Sequence, residues 1–171
     1  MKFDLFLKVI AFIIFVVIGA IIGSSFSYRL RTNYILCVVI RRLLQKAEFL
    51  VGYRYDDIFV ICRDLKNDSE LAQLEFLKSL PDHYESGMDF RFCWEKAVKS
   101  QKLSSDEEQV LLCLGNIIGR SDGASQLNSI SSLEVSIENI EKRRNDEYLK
   151  KGRLYRSLGV LVGLMLGILI I

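Results

Sequence analysis

The residue types that most often carry chemistry are sparse in this chain of 171 residues. The single histidine, His83, follows Pro81 in a connecting segment, where a surface residue is more typical than a catalytic base. No H-E-x-x-H, Walker A or G-x-G-x-x-G motif is present. The cysteines lie too far apart for a zinc or redox motif, and we expect reduced thiols buried on helices. They are Cys37, Cys62, Cys93 and Cys113.

Two acidic clusters are the remaining candidates for a cation site. Asp56-Asp57 and Asp106-Glu107-Glu108 both stand where a helix is predicted to begin. The positive end of the helix dipole stabilises carboxylates at that position, which accounts for both clusters, and a divalent-cation site is the alternative. We therefore predict no catalytic, cofactor-binding or metal-binding residues, no cofactor and no enzymatic activity.

Composition narrows the class of protein. Hydrophobic residues make up 50% of the chain and proline appears once, which argues against disorder. The net charge is only +2, so we do not expect nucleic acid as a partner. Charged residues are absent from residues 9–28 and 157–171. Two apolar ends around a polar middle are typical of a membrane protein.

This pattern predicts three segments: an N-terminal transmembrane helix at 1–28, a cytoplasmic helical bundle at 29–156 and a C-terminal transmembrane helix at 157–171. The uncharged run at 9–28 is about 30 Å long as a helix, which matches the hydrocarbon core. A cleaved signal peptide is the alternative, but no A-x-A cleavage motif follows it. The C-terminal run reaches only about 22 Å, so an apolar tail packed on the membrane is its alternative.

Glycines recur every four residues in both apolar segments. Small residues at this spacing form a flat stripe on which two helices can approach closely, although glycine is also common in membrane helices. We expect packing within one chain or between chains. Leucine at Gly163 should separate the helices, and alanine there should be tolerated. The stripe residues are Gly19, Gly23, Gly159, Gly163 and Gly167.

Basic residues near the predicted spans indicate their orientation. Residues 29–46 carry five basic and no acidic residues, and residues 142–156 carry seven basic and two acidic ones. The positive-inside rule therefore predicts that the middle segment faces the cytoplasm and that both short ends lie outside. Residues 47–141 are acidic, with 9 basic and 18 acidic residues. This acidity either solvates helix faces or offers a surface to a basic partner.

The middle segment is predicted to be all-α, because no stretch alternates as a strand does. Apolar residues at spacings of 3 and 4 predict an antiparallel bundle. A capping box formed by Ser105 and Glu108 should start one of its helices. The predicted helices cover 29–52, 56–65, a segment from Ser69 with Leu71, Leu74 and Leu77 buried, 88–99, 105–119, and a long helix from Asp122 into the second span.

The turn from Gly119 to Asp122 is a candidate functional corner. Gly119 permits the positive φ that lets the chain leave one helix, and Ser121 or Asp122 can cap the next. A purely structural corner is one interpretation. A contact with a partner protein, with Gln126 beside it, is the other.

Motifs in the C-terminal half resemble one family. Together with a span at each chain end, they resemble stage III sporulation protein AB. Members usually carry a proline in the first turn between helices, where this chain has Gly52-Tyr53-Arg54-Tyr55. The motifs are W-E-x-A at 94–97, L-L-x-L-G-x-x-x-G-x-S-D-x-x-x-Q at 111–126 and R-L-Y-R-x-L-G-V-L-x-G at 153–163.

The resemblance implies a middle domain similar to the cytoplasmic domain of type II secretion and type IV pilus platform proteins. It also implies a place in a mother-cell membrane complex that builds a secretion-like channel toward the forespore. The implied partners are the membrane, a cytosolic ATPase of that complex and its other membrane subunits, and a homo-oligomer is compatible with this.

We therefore predict a non-enzymatic platform subunit in the cell membrane, with its bundle facing the mother-cell cytoplasm. The alternative is a membrane-tethered signalling or scaffold protein unrelated to secretion. Such a protein would pair through the apolar seam at 127–140 as a coiled coil.

Overall fold

The computed structural model describes residues 2–54, 58–83, 89–118 and 123–169. All regular secondary structure in these ranges is helical, which confirms the predicted all-α class. A π-helical turn, Leu50–Arg54, follows the first helix, and two 3₁₀ helices, Ser69–Leu71 and Glu75–Ser79, precede the third. The α-helices are α1 (Lys2–Phe49), α2 (Ile58–Lys66), α3 (Phe90–Ser100), α4 (Ser105–Ile117) and α5 (Gly123–Ile168).

The chain divides into two compact units. The helix pair comprises residues 1–34 and 143–171, and the central unit comprises residues 35–142. Within the described ranges, Phe6–Gly52 is the one helical stretch long and apolar enough to cross a membrane, and an 18-residue segment of it has a mean hydropathy of 2.8. Two serines within it are satisfied locally, because the Ser24 and Ser25 hydroxyls donate to carbonyls of the preceding turn at 2.8 and 2.9 Å.

The core of the central unit gathers buried side chains from all of its helices, and the second half of α1 packs against the first half of α5. In α1, the fully buried residues recur at spacings of 3, 3, 1 and 3, which places them on one helix face. On α5, Ile130 and Ile137 are fully buried one heptad apart. The Ser131 hydroxyl donates to Glu48 Oε1 at 2.7 Å, and Arg41 pairs with Glu141, so the two segments are antiparallel. The α1 residues are Cys37, Ile40, Leu43, Leu44 and Ala47.

The single helix predicted from Ser69 is wrong, because two 3₁₀ helices stand in its place. Asp68 begins the first by accepting a hydrogen bond from the Glu70 amide at 2.9 Å. The predicted burial is nevertheless confirmed. A spacing of three residues matches the three residues per turn of a 3₁₀ helix, so an apolar repeat of this kind suits 3₁₀ helices as well as a short α-helix. The buried residues are Leu71, Leu74 and Leu77, and Leu80 continues the series.

The start of α4 also differs from the prediction. The capping box is formed by Ser104 and Glu107, one residue earlier than the predicted pair of Ser105 and Glu108. Both pairs fit the S/T-x-x-E pattern, so local sequence alone does not choose between them. The chosen register buries Glu107, which is 2% exposed, and leaves Glu108 at the margin of the unit.

Candidate interaction sites

Glycines of α1 and α5 bring the two backbones of the helix pair into contact. A Cβ atom on Gly19 would lie 2.3 Å from the carbonyl oxygen of Gly159, and a Cβ on Gly159 would lie 2.4 Å from that of Gly19. A Cβ on Gly23 would lie 2.5 Å from the carbonyl oxygen of Tyr155. These distances are too short for any side chain, so only glycine permits the observed approach.

The contact continues along both helices in antiparallel register. A Cβ on Gly163 would lie 2.7 Å from the carbonyl oxygen of Phe15, and one on Gly167 would lie 2.6 Å from the Phe12 ring. This geometry revises the expectation for alanine at Gly163, because even a methyl group there requires the backbones to move apart. The role of this stripe within a membrane stays a prediction.

A polar contact closes one end of the helix pair. Arg156 Nε donates to the Ser27 hydroxyl at 3.2 Å and to the Gly152 carbonyl at 3.3 Å, and Ser27 is only 4% exposed. The rings of Phe26 and Tyr155 lie beside it, with centroids 5.7 Å apart. The Arg156 guanidinium therefore forms hydrogen bonds within the helix pair, while the rest of its exposed side chain contacts solvent.

Large apolar side chains cover the outer surface of the helix pair. With glycine inside and branched aliphatic residues outside, the pair reverses the arrangement of a water-soluble protein. An exposed apolar surface of this extent marks a membrane or protein contact. Representative residues, all between 50% and 69% exposed, are Ile13, Val17, Ile21, Leu161, Met165 and Ile168.

The predicted corner falls largely outside the described residues. Gly119, Ser121 and Asp122 lie between the end of α4 and the start of α5, and their role stays a prediction. Gln126, on the first turn of α5, is 6% exposed. A side chain that is buried in the central unit suits packing better than a direct contact with another protein.

A broad groove of about 750 Å³ lies between α4 and α5. Its polar side chains are amides and hydroxyls, beside the Cys113 thiol, and the lining residues that the structure describes include no histidine or carboxylate. Neutral groups of this kind can form hydrogen bonds, but they supply neither a general base nor a charge for a metal ion. The polar lining residues are Asn116, Ser125, Asn128, Ser129 and Ser132.

No disulfide joins the four cysteines, and their thiols lie in two different environments. Cys37 and Cys62 are buried, as predicted, but Cys93 and Cys113 are only partly buried. The prediction of burial is therefore wrong for the last two, which lie at the edges of the apolar faces of α3 and α4. Across the described part of the chain, no group of three or more His, Cys, Asp or Glu side chains is arranged to hold a metal ion.

Comparison with known proteins bears on nearly the whole chain. The family model for stage III sporulation protein AB matches residues 8–171. The chain belongs to this family. This confirms the resemblance drawn from the motifs of the C-terminal half. No curated protein and no solved structure matches the chain.

In this member of the stage III sporulation protein AB family, the first two motifs form one packing contact. Trp94 is 1% exposed, and its Nε1 donates to the Leu111 carbonyl at 2.8 Å. A Cβ on Gly115 would lie 2.2 Å from Trp94 Cδ1, so the indole occupies the space a side chain would need. The ring of Phe76 meets the indole edge-on at 5.4 Å. These residues join α3 to α4.

The contact between Trp94 and Gly115 was not predicted, although the glycine within the helix pointed to it. A glycine inside a helix costs about 1 kcal/mol relative to alanine, so Gly115 within α4 indicates a close neighbour. Local sequence does not identify that neighbour, because Trp94 lies on another helix.

A buried carboxylate joins α1 to the start of α4. Glu107 Oε1 accepts a hydrogen bond from the Cys37 thiol at 3.3 Å, and its Oε2 accepts one from the Ser104 amide at 3.1 Å. Hydrogen bonds of this kind offset the cost of burying the charge. The helix dipole and the capping box were predicted for this acidic cluster, whereas the contact with Cys37 was not.

A second carboxylate is held near a like charge. Burial and the neighbouring charge of Glu48 raise the pKa of Glu134, and Arg41 opposes that rise. The Ser131 hydroxyl donates to Glu48 at 2.7 Å. Two of the acidic residues of this unit therefore face each other across α1 and α5, and solvation of outer faces does not account for them.

Proposed function

We propose that this chain is a non-enzymatic membrane platform subunit of a secretion-like channel between the mother cell and the forespore. In this role it docks a cytosolic ATPase. The family match over residues 8–171 carries the sporulation role. The platform role is supported by a long apolar helix in the same chain as a compact, all-helical central unit.

The two helices of the helix pair are proposed to cross the membrane side by side in antiparallel orientation. The interior glycines and apolar outer surface support this, because helices in lipid associate by close backbone packing. Washing membranes with alkaline carbonate should leave the full chain in the pellet. Recovery in the wash would place the helix pair on the membrane surface and contradict the proposal that it crosses the membrane.

The central unit is proposed to face the mother-cell cytoplasm, since basic residues flank both apolar helices on that side. The test uses the full chain with the substitution His83→Cys. Cys93→Ser and Cys113→Ser remove the partly exposed thiols from the same variant. An impermeant thiol reagent should label this variant only after the membrane is opened. Labelling in intact cells would reverse the proposed orientation.

Docking of the ATPase is tested directly with the full chain in detergent micelles. The co-encoded cytosolic ATPase should be retained by the immobilised chain and absent from a matrix without it. A lack of retention in both cases would contradict this part of the proposal and leave membrane insertion unaffected.

The scaffold alternative is disfavoured by the burial of its coiled-coil seam. Ile130 and Ile137 are 0% exposed within the central unit. A second chain could reach them only if the unit opened, so this seam is already used for folding.

A further inference from the structure

The outer face of α3 carries an exposed aromatic ring. Phe92 is 65% exposed, whereas Trp94, two residues later, is 1% exposed. The helix therefore buries one aromatic ring and presents another to solvent. A single exposed apolar residue is common on protein surfaces, so the charges and the groove around this ring decide what it indicates.

This aromatic ring lies within a basic island. Residues 91–102 carry four basic residues and one acidic residue, while the rest of 47–141 carries five basic and seventeen acidic residues. The basic side chains of the island, Arg91, Lys96, Lys99 and Lys102, are all exposed. Charge in this acidic unit therefore reverses its sign at the face that exposes Phe92.

A groove of about 440 Å³ runs beside the ring, lined by Phe92, Glu95, Lys96, Lys99 and Ser100. The Lys99 ammonium donates to Glu95 at 2.5 Å, whereas none of the described carboxylates pairs with Lys96. An aromatic ring beside exposed lysines suits an acidic partner, because interfaces combine an apolar centre with a polar rim whose charges steer association.

We propose that the α3 face, defined as Arg91, Phe92, Lys96, Lys99 and Lys102, docks a different protein whose surface is acidic and has an apolar pocket for the Phe92 ring. Charge complementarity selects this occupant. An anionic membrane would also meet the surrounding acidic residues, which it repels. A second copy would have to bind through two different surfaces, which builds a ring or an open-ended chain of subunits rather than a closed pair. The inference holds whether or not the partner is the ATPase.

The test places the photoreactive residue p-benzoylphenylalanine at Phe92 in the full chain, in membranes of sporulating cells. Phe49 provides the matched control, because it is a 55% exposed phenylalanine of the same unit outside the basic island. Irradiation should link position 92 to an acidic segment of another protein, as identified by mass spectrometry. The same label at position 49 should not produce this adduct.

Charge reversal decides whether the island is responsible. Lys96→Glu, Lys99→Glu and Lys102→Glu together should lower the adduct yield about fivefold or more, because complementary charges steer association. Unchanged fluorescence of the buried Trp94 would show that the variant is folded. Linkage to lipid, to a second copy or to no partner would overturn the proposal, as would a yield that the reversal leaves unchanged. Retention of the ATPase by the immobilised chain tests the proposed function separately.

Discussion

The helix pair and the central unit solve the same packing problem with opposite residue types. In the helix pair, glycines meet backbone to backbone and the bulky side chains point outward. In the central unit, bulky side chains such as Trp94 and Leu111 fill the interior. The difference follows from the surroundings that each surface suits. Burying a leucine away from water contributes about 1.5–3 kcal/mol, whereas lipid gives no such gain and rewards close backbone contact.

Helix α1 carries both solutions along its length. Gly19 and Gly23 belong to the glycine contact, and Leu43 and Leu44 belong to the apolar core. A hydrophobicity average cannot distinguish them, because both halves are apolar. The distinguishing feature is where the smallest residues recur.

The largest expected effect tests the central unit. Trp94→Ala should lower its stability by about 3–5 kcal/mol, because the change removes a large buried side chain and leaves a cavity beside Gly115. Thermal unfolding followed by far-UV circular dichroism in detergent measures the loss. Phe92→Ala, at the exposed neighbouring aromatic, should stay within about 0.5 kcal/mol of wild type. Equal effects of the two changes would contradict the described core.

The next effect tests the helix pair. Gly159→Leu should cost about 1–3 kcal/mol, because the added side chain overlaps the Gly19 backbone. Val160→Leu adds bulk at the next residue, on a more exposed position, and should be tolerated. Accumulation in membranes and thermal unfolding compare the two. Trp94 fluorescence should stay unchanged in both variants, and a shift would mean that the change also disturbs the central unit.

A smaller effect concerns the buried carboxylate that joins α1 to α4. Glu107→Ala should cost roughly 0.5–2 kcal/mol, since it removes the acceptor for the Ser104 amide. Glu107→Gln keeps an acceptor of nearly the same shape and should recover part of the loss. Thermal unfolding of the three proteins provides the comparison, and an alanine variant as stable as wild type would show that the hydrogen bonds contribute little.

The smallest effect concerns Glu134, whose pKa is raised by burial and by Glu48. Because the folded state holds this proton more tightly, the stability it contributes is full at low pH and is lost as pH rises through the raised pKa. Glu134→Gln should therefore stabilise the chain at about pH 7, by less than about 1 kcal/mol after solvent screening. The gain should shrink toward about pH 4, near the ordinary carboxyl pKa. A gain that is equal at both pH values would exclude this cause.

Helices that are defined by one clear apolar periodicity could be predicted from the sequence. Prediction was less reliable where two local structures fit the sequence equally well and contacts with distant residues determine which one forms. Ile130 and Ile137 were predicted on the apolar face of a long helix and are fully buried. The helix from Ser69 failed because a three-residue apolar spacing suits a short α-helix and a 3₁₀ helix alike. The capping box was predicted one residue too late, because Ser104 with Glu107 and Ser105 with Glu108 both fit the local pattern. The observed register buries Glu107, which contacts Cys37.

The candidate sites divide in the same way. The spacing of the stripe glycines is visible in the sequence, but that Gly159 lies against Gly19 is set by how the chain folds. The contact of Trp94 with Gly115 and the pairing of Glu48 with Glu134 join residues far apart in the chain, so no local pattern predicts them.

The hydrogen bond between Glu48 and Ser131 has a consequence for synthesis, because it joins residues 83 positions apart. At about 5–20 residues per second, the ribosome needs roughly 4–17 s to make the intervening chain. During that interval Ile40, Leu43 and Leu44 have not yet met the part of α5 that covers them. A nascent chain stalled before α5 therefore exposes an apolar helix face to the cell, and we expect it to be bound by chaperones or degraded, whereas the completed chain is protected.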